Sequence, residues 1–276
     1  MHVLDHIEAS KISYTNKFSE KLAKAFWPGP LTMVLPKKEC IPYKISADLD
    51  TVAIRSPSHR EFRKMLRSVK FPIAAPSANK SNKISPTRYQ DVLSEFGNDC
   101  PPIVDGGPCQ IGIESTVLDL TTDIPEILRL GSCSKEDIES VICCEVNSPE
   151  GKCKIDNFSS KRRKSPGQMK KHYAPETPLY IYPSFEKLIS DSFSENSDVI
   201  LLPSKNYIIK NSGAGLTIKY LSQKGDPKEI AQNLYHSLRF LDNFKKDKMF
   251  TSLFPCDNGV LSAVNDRLIR ASTACI

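Results

Sequence analysis

Between residues 31 and 120 the chain passes through five short apolar runs: LTMVL (31–35), TVAIR (51–55), FPIAAPS (71–77), PIVDGG (102–107) and STVLDL (115–120). Each is bounded by turn residues and each is too short for a helix, so the pattern predicts strands. Helical patterns lie between them. Residues 18–26 (FSEKLAKAF) carry Leu22, Ala25 and Phe26 at helical spacing, 60–69 form an amphipathic stretch, and Pro86-Thr87-Arg88-Tyr89 opens a helix with Val92, Leu93 and Phe96 on one side. Strands mixed with helices point to an α/β or α+β class rather than all-β.

Composition shifts after this region. Residues 146–177 are rich in Ser, Lys, Asn and Pro and poor in apolar side chains, which predicts a linker. Periodicity then returns in PLYIYPS (178–184), DVILLPS (198–204) and LTIKYL (216–221). A helix is expected over 227–243, with Ile230, Leu234, Leu238 and Leu241 on one stripe. This alternation suggests a small parallel-sheet domain. The expected organisation is therefore a domain over 1–145, a linker over 146–177 and a second domain over 178–276, in keeping with a length of 276 residues.

No apolar run reaches 18 residues and the first 20 residues lack an apolar signal core, so neither a membrane span nor secretion is expected. The net charge of +6 mildly favours anionic partners. The nine cysteines include no C-x-x-C pair and only five histidines accompany them, which argues against a zinc site and for reduced intracellular thiols.

One turn and the loops at the predicted strand ends offer the polar groups suited to chemistry. FWPGPLT (26–32) is a rigid turn, read as a packed corner from which Thr32 begins a strand. Arg55 closes an otherwise apolar run; either it reaches solvent at the strand end, or its fork meets a carboxylate or phosphate. In 72–89, Ser77, Asn79, Lys80 and Lys83 follow small residues that let a ligand approach, and Ser85-Pro86-Thr87 resembles a helix start suited to phosphate; an ordinary capped polar loop remains the other reading. Residues 102–120 repeat the design with Asp105-Gly106-Gly107, Gly112 and Ser115-Thr116, and Arg129 stands at another strand end. No Walker loop, dinucleotide fingerprint or nucleophile elbow is present. The residues alone therefore point to an anionic-ligand pocket in the first half.

Taken in order, WPGPLT, TVAIRSP, PIAAPSAN, DGGPCQIGIESTVLDL, ILRLG and SPGQMKKHYAP resemble the Sua5/YrdC family, over nearly the whole chain. The SPG…HYAP stretch is similar to the two-domain Sua5 form. The resemblance implies a twisted YrdC-like α/β domain with a basic cavity, joined to a smaller Rossmann-like domain. It implies threonylcarbamoyl-AMP synthase activity: L-threonine, bicarbonate and ATP, with Mg²⁺ assisting, give L-threonylcarbamoyladenylate and pyrophosphate for the t6A modification of tRNA. It further implies t6A transferase machinery as the downstream partner, a cytoplasmic setting, and weak contact with tRNA or double-stranded RNA.

Carried over by motif, Thr51, Ser77, Ser85 and Arg129 would contact ATP. His2, Arg55, Ala75 and Ser115 would contact threonine, with Arg55 on its carboxylate. Asn79 and Thr116 would support the site. His172 and Tyr173 would form the inward face of a lid made by the linker, with Lys170 and Lys171 on its anion-facing side. No covalent nucleophile or acid–base residue is implied. The family carries an upstream K-x-R…S-x-N segment for which this sequence shows no counterpart, and Asn82 stands where the family often has Gly. The resemblance therefore leaves an alternative: a catalytically impaired nucleotide- or RNA-binding remnant.

Overall fold

The computed structural model describes residues 1–149, 172–209, 215–255 and 259–276. Its elements in chain order are α1 (His6–Ile12), α2 (Lys17–Phe26), β1 (Leu31–Pro36), β2 (Thr51–Ile54), α3 (Arg60–Val69), α4 (Tyr89–Phe96), β3 (Thr116–Asp119), β4 (Glu126–Arg129), α5 (Lys135–Ile142), β5 (Leu179–Tyr182), α6 (Phe185–Ser190), β6 (Asp198–Ser204), β7 (Thr217–Ser222), α7 (Pro227–Asp242), β8 (Lys248–Ser252), α8 (Gly259–Ala271) and β9 (Ala274–Cys275). The chain divides into two compact units, one of Met1–Pro76 and Glu114–Gln168, the other of Ser77–Ile113 and Met169–Ile276.

The first unit is built on a four-stranded sheet in the order β2-β1-β3-β4. β1 runs antiparallel to β2 and parallel to β3, and β4 returns antiparallel to β3 with a register shift between Val117 and Leu118. Met33, Leu35, Ile54, Leu118 and Ile127 face a core that also takes Leu22 of α2 and Ile138 of α5. Each such aliphatic side chain contributes about 1.5–3 kcal/mol when fully buried. α2 begins where Asn16 and Ser19 cap each other: the Ser19 amide donates to Asn16 Oδ1 and the Asn16 amide to Ser19 Oγ, both at 2.9 Å.

The second unit holds a five-stranded parallel sheet, order β7-β6-β8-β5-β9. β6 is buried along its whole length, which is why DVILLPS reads as an almost unbroken apolar run. α7 lays Ile230, Leu234, Leu238 and Leu241 into the core as its spacing predicts.

The segment Ser77–Ile113, expected in the 1–145 domain, is packed within the second unit. Arg239 of α7 pairs with Glu95 of α4 at 3.0 Å and also donates to the Ile84 carbonyl. Gly112, at φ +82°, presses on the α7 backbone so closely that a Cβ there would lie 2.3 Å from the Gln232 Cα.

Two predicted strands are absent. In FPIAAPS only Ile73 makes a strand-like bridge, to His2, because Pro72 and Pro76 have no N–H to offer a ladder. PIVDGG forms no strand; it opens on Pro102, Pro101 and Pro108 flank it, and Asp105 Oδ1 turns the chain by accepting from the Gly107 amide at 2.9 Å.

Candidate active site

The FWPGPLT turn organises the site in the first unit. It carries a cis Trp27–Pro28 bond, and the Trp27 indole N–H donates to the Leu31 carbonyl at 2.8 Å. A Cβ at Gly29 would fall 2.2 Å from the Phe26 carbonyl oxygen, so only glycine fits. The Gly29 carbonyl then accepts from Arg55 Nε at 2.9 Å, and the Gly29 amide donates to the Ser56 carbonyl at 2.8 Å. Thus Arg55, one residue past β2, is oriented by backbone of the turn.

Thr32, on the other side of the same turn, places its hydroxyl 2.7 Å from the Ser115 hydroxyl. Ser115 immediately precedes β3. Arg129, the last residue of β4, donates from Nε and Nη2 to the Ser115 carbonyl at 3.1 and 2.9 Å, and from Nη2 to the Ser115 hydroxyl at 3.1 Å. Thr116 faces inward and is fully buried, its hydroxyl donating to the Cys133 carbonyl at 2.8 Å. Gly131 makes this approach possible: a Cβ there would lie 2.2 Å from the Thr116 nitrogen and 2.6 Å from the Ser115 carbonyl carbon.

His2 threads between Arg55 and Ile73. Its amide donates to the Ile73 carbonyl at 2.7 Å and its carbonyl accepts from the Ile73 amide at 3.1 Å, while the Arg55 carbonyl accepts from the Val3 amide at 3.0 Å. Ala75 follows two residues beyond Ile73 and is exposed. Burial, then the charges of the α-amino group and Arg55, push the His2 imidazole down to about 4, so it is neutral at pH 7. Its Nδ1 is buried without a hydrogen-bond partner among the described residues.

The first unit therefore brings together Arg55, His2, Ser115 and Arg129 around one turn. Thr51 does not join them by strand position: it opens β2, pairing with Pro36, about 13 Å of extended chain from Arg55. Thr32 was not singled out as a site residue from sequence; its signal was a hydroxyl at a strand start, and its partner lies 83 positions away.

Ser77, Asn79, Ser85, His172 and Tyr173 belong to the second unit. The Asn79 side-chain amide donates to the Lys80 and Lys83 carbonyls at 2.9 and 3.1 Å, shaping its own loop. The amides of Thr87 and Arg88 both donate to Asp91 Oδ2, at 2.8 and 3.0 Å. The helix start after Ser85 is thus satisfied by its own carboxylate, which corrects the expectation of free N–H groups at those two positions. Asn82 has φ 66°, a left-handed conformation that Asn, like Gly, adopts more readily than most residues. Tyr173 is packed into the second unit, stacked on Tyr235 at 5.4 Å and on the Arg267 guanidinium at 5.8 Å. His172 meets Tyr173 edge-on at 4.0 Å. Lys170, Lys171 and the rest of the predicted lid from 150 to 171 lie outside the described residues.

The chain matches two family profiles, one described as "Telomere recombination" over residues 1–131 and one as "Threonylcarbamoyl-AMP synthase, C-terminal domain" over residues 133–273. It is 38% identical over 266 residues to a threonylcarbamoyl-AMP synthase of Pyrococcus abyssi, covering 92% of this chain and 73% of that protein. It is 36% identical over 264 residues to one of Bacillus subtilis, covering 92% and 72%. The crystal structure of P. abyssi Sua5 complexed with L-threonine superposes with a TM-score of 0.82 at 34% identity, covering all of this chain and 81% of that one. With two family domains in tandem and a shared two-domain α/β fold, this chain belongs to the Sua5/YrdC family, in its Sua5 form.

Proposed function

We propose that this chain is a threonylcarbamoyl-AMP synthase, a nucleotidyltransferase that joins L-threonine, bicarbonate and ATP. The observation that carries the reading is the contact of Arg129 with Ser115, which joins a residue read as ATP-binding to one read as threonine-binding. The reaction needs those two ligands side by side. The threonine amine adds to bicarbonate with loss of water. A carbamate oxygen then attacks the α-phosphorus as the bond to the pyrophosphate leaving group breaks. Neither step requires a protein nucleophile. Positioning and compensation of developing negative charge are sufficient roles for the protein.

In this reading Arg55, with its plane set by Gly29, pairs with the threonine carboxylate. Ser115 and Arg129 receive the carbamate and the α-phosphate, and Thr32 orients the Ser115 hydroxyl. His2 and Ala75 border the threonine side, and Thr51 the nucleotide. Among the described residues no group of three or more His, Cys, Asp or Glu is placed to hold a metal. Mg²⁺ would enter on the phosphates of ATP, where it typically keeps its waters, as part of the substrate.

The non-catalytic alternative is not favoured, since relatives matched over nine-tenths of the chain are named synthases. The reading extends to hand-over of the labile adenylate to t6A transferase machinery in the cytoplasm, with weak tRNA or double-stranded RNA contact; these rest on the family resemblance. Among the described residues no helix is long and apolar enough to cross a membrane. The test is pyrophosphate release by the chain. Release that requires ATP, bicarbonate and threonine together supports the reading, and ATP binding without release under any combination overturns it.

A further inference from the structure

The second unit contains a polar cavity of about 370 Å³ between β7 and α7. None of its lining residues is among those that the family resemblance assigns to ATP or threonine. Its wall from β7 and the turn after it runs from Lys219 to Gln223, and α7 contributes Glu229, Gln232, Asn233, His236 and Ser237. Arg88 closes the third side.

The arrangement is not explained by folding alone. Some of the polar groups are spent locally: Asn233 donates to the Leu221 carbonyl at 2.7 Å, and the Ser222 hydroxyl donates to Glu229 Oε2 at 2.6 Å while accepting from the amides of Gly225 and Asp226. Those bonds close the Glu229 end. The other end is cationic. Arg88 and Lys219 line it together with His236, and the Lys219 ammonium lies 4.7 Å from the Phe240 ring centre. Burial and then the Arg88 charge hold the His236 imidazole below its ordinary range, opposed by Asp91 and reinforced by Lys219, so it is a neutral donor and acceptor at pH 7. Ser237 lies behind this wall, fully buried.

We propose that this cavity is a second anion site, taking a small phosphorylated molecule whose phosphoryl oxygens meet Arg88, Lys219 and His236. The volume lies at the lower end of the range for small-molecule pockets, which fits a pyrophosphate or a nucleoside monophosphate and excludes a large ligand.

The test is a titration of the full chain with pyrophosphate and, separately, with AMP, observing the His236 imidazole by NMR after its signal has been assigned with His236→Gln. A saturable shift is expected. Lys219→Gln and Arg88→Gln should each weaken binding about tenfold, as loss of a charged hydrogen-bonding partner does. Lys219→Arg should restore it. Arg129→Gln, at the site in the first unit, should leave the shift intact. Tighter binding of AMP than of pyrophosphate identifies a nucleotide; the reverse identifies a bare phosphoryl anion. No saturable shift with either at millimolar concentration, a shift indifferent to Lys219→Gln and Arg88→Gln, or binding of RNA alone overturns the proposal.

Discussion

Arg129 and Ser115 are bound to each other through both backbone and side chain: the guanidinium takes the Ser115 carbonyl with two N–H groups and the Ser115 hydroxyl with one of the same two. The pair spans the end of β4 and the start of β3, neighbouring strands of one sheet, so the backbone ladder keeps them in register. If they act as one unit, Arg129→Gln and Ser115→Ala should each lower kcat/KM by about 10–100-fold, the scale of one lost charged hydrogen bond. The double variant should cost clearly less than the two single losses combined. Strict additivity in that cycle would separate the two roles.

Arg55 is held by Gly29 and faces a different requirement. Arg55→Ala should raise the KM for threonine by about 10–100-fold with little change in the KM for ATP, since a carboxylate loses its fork-like partner. Steady-state kinetics varying each substrate in turn measure this. Equal effects on both substrates would contradict the assignment.

Gly131 tests the site through packing alone. A methyl there collides with the backbone of Thr116 at 2.2 Å and of Ser115 at 2.6 Å, so Gly131→Ala must displace both. Thermal unfolding should show a loss of about 1–3 kcal/mol, with activity falling further than stability. An unchanged Tm with full activity would mean that the backbone at this point yields freely.

Much of the sheet framework is legible in the sequence, because β1, β2, β3, β5, β6 and β7 are apolar runs bounded by turn residues. The misses have physical causes. PIVDGG and FPIAAPS are apolar but ringed by prolines, and composition conceals that they have no ladder to join. α8 was not read as a helix because its buried face includes Asn265, Arg267 and Arg270. Asp266 pairs with both arginines at 2.9 Å, and the Asn265 side chain caps the Phe254 backbone, so charge sits where a hydrophobic pattern would be sought. Strand-end cations were visible as candidates, whereas the Thr32–Ser115 hydroxyl pair was not, since it depends on parallel pairing of β1 with β3. The resemblance supplied roles that no spacing rule could.

Burial of His2 has a pH consequence. Its folded value of about 4 lies below the ordinary 6.5, so the unfolded chain binds a proton more readily between those values. Stability should be unaffected by this group above pH 6.5 and should fall as pH drops from 6.5 toward 4. Denaturant unfolding at stepped pH should show that slope, and His2→Gln should flatten it. A slope unchanged by the substitution would assign it to other groups.

Within the second unit, Arg239 and Glu95 form an ion pair whose side chains are 18% and 9% exposed. Glu95 also accepts from the Lys80 amide at 3.0 Å. Arg239→Met should therefore destabilise the unit by about 3 kcal/mol or more by stranding a buried carboxylate. Adding Glu95→Gln to that variant should recover part of the loss. Failure of the second change to recover anything would show that the carboxylate stays solvated.

The most direct measurement of the central claim is mass spectrometry of the product formed from ¹³C-bicarbonate, L-threonine and ATP by this chain. Threonylcarbamoyl-AMP carrying the label in its carbamoyl carbon, lost on Arg129→Gln, is the predicted result. ATP turnover that yields only unlabelled AMP or ADP, or a labelled adduct unaffected by Arg129→Gln, would contradict it.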